Sequence, residues 1–265
     1  MKKNIVTITG SETRHKFLSA YLSKQNNINI LLSIQEKVKK LQDNKGLKKY
    51  AIFKNHIENR KKVERKYFKK FINNKSNYKI IKVAKNYLNE KSTINFFKKL
   101  NPDLVITFGC SIIQDNFINA FKNKIINIHL GLSPYYRGSG TNFFPFVYNE
   151  LQFLGSTVMR IDKGIDTGKI ITQVRPKLKL GDNIHTIGNR IIFDTAEKIK
   201  ELVLNSRKIK TKRLNTKYKT RVLKNKDFTI DTLNKAYFNL KNGIIKKYLK
   251  NQKRLEKKYK IINQF

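Results

Sequence analysis

The spacing of apolar residues along this chain changes period several times, and each change marks an element. Residues 4–9 place Ile5, Val6 and Ile8 between threonines, a β-branched run that predicts a strand, and Gly10-Ser11 ends it. From Arg14 to Lys24 the period lengthens. Phe17, Leu18, Tyr21 and Leu22 fall on one helical face. Residues 28–33 form a second short apolar run, so the opening reads as a βαβ unit. Residues 104–108 and 125–129 are compact apolar runs of the kind buried on both faces of a parallel sheet. Between them Gly109-Cys110-Ser111 turns into a short helix over 114–121. Residues 142–149 read as helical. Residues 156–161 and 169–174 read as two strands joined by a Gly-flanked loop with Asp166 at its tip. Asp182 is the candidate N-cap of a helix over 183–204. Strands alternating with helices predict an α/β fold, an open and mostly parallel twisted sheet. Ligands of such sheets bind outside the carboxyl ends of the strands, where Gly10, Gly109 and His129 all stand.

Two stretches depart from this alternation. Residues 34–73 are highly charged, with His56, Arg60, Glu64 and Phe68 at four-residue steps and hence on one helical face. They predict a helical insert, read either as a solvated clamp or as a lid. Residues 206–265 are Lys-rich. There Leu233, Tyr237, Leu240, Ile244, Ile245 and Tyr248 form the apolar stripe of a docked helix. The expected organisation is a catalytic domain over 1–205, carrying the insert, and a mainly helical carboxy-terminal extension over 206–265.

Composition changes this picture little. Of 265 residues, 58 are Lys or Arg and 18 Asp or Glu, a formal charge of +40. Such an excess raises nucleic acid or an anionic surface as partners. Lysine is spread along the whole chain, however, which reads as compositional drift rather than a built patch, so specific nucleic-acid binding is not expected. Cys110 is the single cysteine. An intrachain disulfide is therefore excluded, and a reducing cytoplasm is the expected compartment. No apolar run is long enough to predict a membrane span. No metal-spaced Cys/His cluster and no G-x-G-x-x-G after the first strand point to a metal or a nicotinamide.

The candidate chemistry lies in residues 126–138 and 155–171. Asn127 and His129 are two apart on one strand, so their side chains leave the same face. Asp166 sits on the later loop. An amide, an imidazole and a carboxylate at strand ends can stabilise an oxyanion and move a proton. Asn127-Ile128-His129, the Leu-Ser-Pro and Arg-Gly that follow, and Asp166 in its Gly-flanked loop resemble the signature of the folate-dependent formyltransferases. This family includes glycinamide ribonucleotide, methionyl-tRNA and sugar N-formyltransferases. The resemblance is clear over 101–205 and weaker over 1–33. It implies a Rossmann-like formyltransferase fold and transfer of a formyl group from 10-formyltetrahydrofolate to the amine of a small acceptor, without a metal. It assigns Asn127, His129 and Asp166 to catalysis, and Cys110, Ser111, Ile112, Ile113, Ile161, Asp162 and Ile165 to the folate. Gly10, Arg14 and Arg137 are the candidate acceptor contacts.

The first loop, Gly10-Ser11-Glu12-Thr13-Arg14, is shorter than the phosphate loop of the glycinamide ribonucleotide enzymes. The helical tail differs from the β-barrel of the methionyl-tRNA enzymes. An amino-sugar nucleotide or similar amine is the expected acceptor. A formyl-hydrolysing relative, a glycinamide ribonucleotide or methionyl-tRNA formyltransferase, and a nucleic-acid binder on a degenerate scaffold are the alternatives.

Overall fold

A computed structural model describes residues 2–37, 45–72 and 76–264. Strand β1 (Lys3–Gly10), helix α1 (Thr13–Leu22) and strand β2 (Ile28–Glu36) form the opening βαβ unit, and β1 pairs parallel to β2. Helix α2 (Ala51–Ile72) fills most of the described part of the insert; residues 38–44 and 73 of that stretch lie outside the described residues. Next come β3 (Ile80–Val83), α3 (Lys91–Leu100), β4 (Leu104–Phe108), α4 (Asp115–Ala120) and β5 (Ile125–His129). The short strand β6 (Tyr136–Gly138) and one-turn helix α5 (Phe144–Val147) lead to β7 (Ser156–Met159), β8 (Ile170–Val174) and α6 (Ile184–Leu204). The extension adds β9 (Arg221–Leu223), α7 (Ile230–Lys241) and α8 (Ile244–Lys258).

Among the described residues, seven strands form one sheet in the order β3-β2-β1-β4-β5-β7-β8. The first five run parallel, and β7 and β8 are antiparallel additions. The order reverses direction at β1 and β4, so their carboxyl ends flank the crevice expected of such a sheet. Phe17, Leu22, Ile106, Ile126, Ile192 and Ile199 pack on one face, beneath α1 and α6. Val6, Leu32, Phe97, Val105 and Phe117 pack on the other, beneath α3 and α4. A further core joins Phe53, Phe143, Phe146 and Phe153 to Leu233, Ala236, Ile244, Ile245 and Tyr248 of the extension.

Several local expectations need correction. The cap of α6 is Asn183: its side chain accepts from the N–H groups of His185 (2.9 Å) and Thr186 (3.0 Å), and Thr186 Oγ1 accepts from the Asn183 N–H. Asp182 instead accepts from the Lys179 N–H and pairs with Arg190 at 2.8 Å. The helix expected over 142–149 shrinks to one turn begun by Pro145. The extension holds two helices, because Gly243 takes a left-handed φ of 74° and turns the chain between them. Strand β2 runs on through polar Ser33, Gln35 and Glu36, which are buried because β3 pairs beside them. Short β6 pairs with β9 of the extension, tying the catalytic segment to the tail.

The outer edge of β8 is covered by two pieces of the extension. Ile170 and Lys212 exchange backbone hydrogen bonds, and the Gln173 N–H donates to the Ile262 carbonyl. Gln264 adds bonds to Thr172 and Ile171.

Candidate active site

Strand β5 ends on the candidate chemistry. Asn127 lies in register with Thr107 of β4, whose hydroxyl donates to Asn127 Oδ1 at 2.8 Å. That bond fixes the amide and leaves Nδ2 as its donor edge. Two residues on, His129 Nδ1 lies 3.2 Å from Asp166 Oδ2, and Nε2 lies 3.0 Å from the Tyr136 carbonyl. Both ring nitrogens face acceptors, which only the doubly protonated imidazole can satisfy together. Asp166 Oδ2 also accepts from the Gly138 N–H at 2.9 Å. Asp166 takes a left-handed φ of 51°, a conformation an aspartate tolerates at a loop tip. The loop is braced by Asp162, which accepts from the Gly164 N–H and the Thr167 hydroxyl.

These three side chains line a cavity of about 460 Å³. Its remaining wall comes from Arg14 and His15 after β1, from His56, Arg60 and Glu64 of α2, and from Phe108 to Cys110 after β4. Residues 138–143, the first turns of α6 and Phe228 of the extension complete it. The chain has four histidines, and all four line this cavity. Backbone room is created by glycine. A Cβ on Gly131 would come within 2.6 Å of His129 Nε2, and one on Gly109 within 2.5 Å of the His15 ring, which also fills the space beside Gly10.

Residues 2–203 match a family model described as formyl transferase. The chain belongs to the formyl transferase family. The methionyl-tRNA formyltransferase of Thermodesulfovibrio yellowstonii is 34 % identical over 119 residues, 43 % of this chain and 38 % of that one. Its counterpart in Finegoldia magna is 25 % identical over 118 residues, 44 % of this chain and 37 % of that one. The chain thus spans little more than a third of these curated relatives. The same fold occurs in the phosphoribosylglycinamide formyltransferase of Anaplasma phagocytophilum (TM-score 0.55, 17 % identity, 84 % of this chain and 99 % of that one). It also occurs in a sugar N-formyltransferase from Shewanella (TM-score 0.54, 14 % identity, 88 % of this chain and 87 % of that one).

In this formyl transferase family member the segment after β4 is held from below by Glu36. That carboxylate, fully buried at the end of β2, accepts from the Ser111 N–H and hydroxyl (both 2.6 Å) and from the Asn86 N–H (2.8 Å). Ile112 is 77 % exposed, whereas Ile113 is turned into the core. Cys110 lines the cavity, and burial, helped by Glu36, pushes its thiol up to about 12, which leaves little thiolate. Ile161 is half-buried, and Ile165 is 56 % exposed beside Asp166. Lys163 pairs with Asp115 at 2.8 Å, so the Asp166 loop meets the start of α4. Arg14 lines the cavity but is engaged by Glu64 at 2.7 Å and by Glu12. Arg137 is half-buried and is not among the lining residues.

Sequence reasoning missed Glu36, Gly131, His185, Asn189 and Phe228. The α2 face, by contrast, had a linear signal, the four-residue series that begins at His56. Burial first, then the nearby His185 and Arg60, pushes His56 down to about 3; burial and Arg60 push His185 down to about 4. Both pKa values lie below that of an unfolded histidine, so the unfolded chain binds more protons below about pH 6.5. Stability should therefore be full above that pH and fall as pH drops toward 4. The loss is up to about 1.4 kcal/mol per pH unit for each histidine. Urea midpoints at pH 7.5 and 5.0 check this. A His56→Phe/His185→Phe double variant should show a smaller difference between the two.

Proposed function

We propose that this protein transfers a formyl group from 10-formyltetrahydrofolate to the amine of a small acceptor, an amino-sugar nucleotide or a similar amine. The observation that carries this reading is the meeting of Asn127, His129 and Asp166 in one cavity at the carboxyl end of β5. Bound there, the folate supplies an activated formyl carbon. Ile112 and Ile165, two large apolar side chains left exposed outside the cavity lining on segments that the Lys163–Asp115 pair joins, would hold the donor's ring system. Glu36 keeps the first of those segments rigid.

The residues divide the work. As the amine bonds to the formyl carbon, negative charge grows on the formyl oxygen. Asn127 Nδ2 donates to that oxygen, in an orientation already set by Thr107. Both ring nitrogens of His129 are occupied, so the ring contributes chiefly its positive charge, which Asp166 balances and holds in place. Asp166 would then accept the proton lost by the amine, directly or through one water, and return it by the same route to the leaving donor nitrogen as its bond to the formyl carbon breaks.

The test is incubation of purified protein with 10-formyltetrahydrofolate and a panel of primary amines, with tetrahydrofolate and formylated product both measured. Stoichiometric appearance of the two is expected for at least one amino-sugar nucleotide. Formate release that no amine redirects would replace transfer by hydrolysis, and absence of any turnover or folate binding would defeat the reading.

A further inference from the structure

The acceptor's chemical character can be narrowed from the charge and hydrogen bonding of the cavity wall, given formyl transfer at Asn127. In a chain of net charge +40, no lysine is found among the described residues that line this cavity. Its two guanidiniums are committed inside the protein. Arg14 bonds to Glu64 and Glu12, and Arg60 lies 3.3 Å from Glu12 and 3.7 Å from Glu64. Two arginines against two glutamates leave no surplus. A phosphate placed there would meet the carboxylates as well as the guanidiniums. It would have to break pairs whose side chains are 6–19 % exposed. His56 and His185, held low by burial, add no charge at neutral pH.

The same wall carries polar atoms with nothing to bond. His185 (8 % exposed) and Asn189 (4 % exposed) leave Nε2 and Nδ2 buried, with no hydrogen-bond partner among the described residues. A buried donor left unpaired is costly, and native proteins retain few. Both atoms sit on the first turns of α6, one helical turn apart, beside Phe228 and Ile184. Beside them, the His56 ring packs against His185 at a tilt of 57° with ring centroids 4.7 Å apart, and His56 Nδ1 bonds to the Tyr237 hydroxyl at 3.0 Å.

We propose that His185 and Asn189 are specificity-determining residues that read an uncharged, hydroxyl- or amide-bearing ring of the acceptor, and that the cavity admits no phosphate. His56 acts as a positioning residue behind His185, anchored by Tyr237 of the extension. Any phosphate of a nucleotide-linked acceptor then stays outside this chamber.

The experiment uses full-length protein and two probes, methyl 4-amino-4-deoxyglucopyranoside and inorganic phosphate, by calorimetry in the presence of saturating 5-formyltetrahydrofolate. The wild type should bind the glycoside and give no heat with phosphate. His185→Leu and Asn189→Leu should each weaken the glycoside by about tenfold, the scale of one lost hydrogen bond. His185→Gln, which keeps a donor and an acceptor, should restore most of it. Glu64→Gln, which frees guanidinium charge, should create phosphate binding. The proposal is overturned by saturable phosphate binding to the wild type, by absence of glycoside binding, or by unchanged affinity in both leucine variants with folded spectra. Folate binding is measured in the same series. Its presence alongside any of these results sinks the specificity assignment alone, whereas its absence sinks the formyl-transfer reading beneath it.

Discussion

His129→Ala is expected to lower formyl transfer by about 10²–10³-fold while the protein stays folded and still binds 5-formyltetrahydrofolate. The imidazole is held by two acceptors, Asp166 Oδ2 and the Tyr136 carbonyl, and its removal leaves the proposed apolar donor contacts Ile112 and Ile165 in place. Its loss should therefore fall on the rate and not on folate affinity. Asp166→Asn should be as damaging, because the amide keeps the bond from the Gly138 N–H but neither balances the imidazolium nor takes the amine proton. Combining the two substitutions should cost little more than either alone, since the pair acts as a unit. Gly131→Ala offers an indirect check. A methyl group 2.6 Å from His129 Nε2 must push the ring, so the rate should fall with the catalytic residues intact. Near-full activity in His129→Ala would remove the triad from the mechanism.

The second large effect concerns stability. A chain ending after Asn205 should be recovered mostly as aggregate, and any soluble fraction should melt at least 10 °C lower. Truncation strips Leu233, Ala236, Ile244, Ile245 and Tyr248 from a core shared with Phe143, Phe146 and Phe153. Large apolar side chains of this kind contribute about 1.5–3 kcal/mol each when buried, so their joint loss rivals a whole domain's net stability of about 5–15 kcal/mol. The soluble fraction should still bind 5-formyltetrahydrofolate, because Ser111, Ile112 and the Asp166 loop precede the cut. Acceptor handling should be lost with Phe228 and Tyr237. Thermal melts with and without the folate compound decide the matter. A soluble truncated protein that has lost folate binding would show that the extension builds the donor site.

The parallel core was legible because it is written locally: Ile5–Ile8, Leu104–Phe108 and Ile125–His129 are apolar runs bounded by turns. The Asn127–His129–Asp166 cluster was legible because two members share a strand and the third sits between glycines. What escaped was non-local. Glu36 reads as one more acidic residue, and only the pairing of β2 with β3 buries it beneath Ser111. His185 reads as a helix-start residue until α2 and α7 bring His56 and Tyr237 behind it. Gly131 looks like turn punctuation, yet its role is to leave space for a ring two residues earlier. Asp182 and Asn183 are adjacent and chemically equivalent as caps, and the pull of Arg190 on Asp182 decided between them.

The covering of β8 has a consequence for biosynthesis. Ile170 and Gln173 find their outer partners in Lys212 and Ile262, which leave the ribosome after every strand of the large sheet. At ~5–20 residues per second, the roughly 90 residues from the end of β8 to Ile262 take about 4–18 s to add. Throughout that interval the nascent chain shows a bare strand edge next to an uncovered apolar face, the combination that invites pairing between neighbouring chains. Slow translation of this lysine-rich stretch would lengthen that exposure, and co-synthesised chaperone should raise the soluble yield of the full-length protein more than it raises the stability of the finished fold.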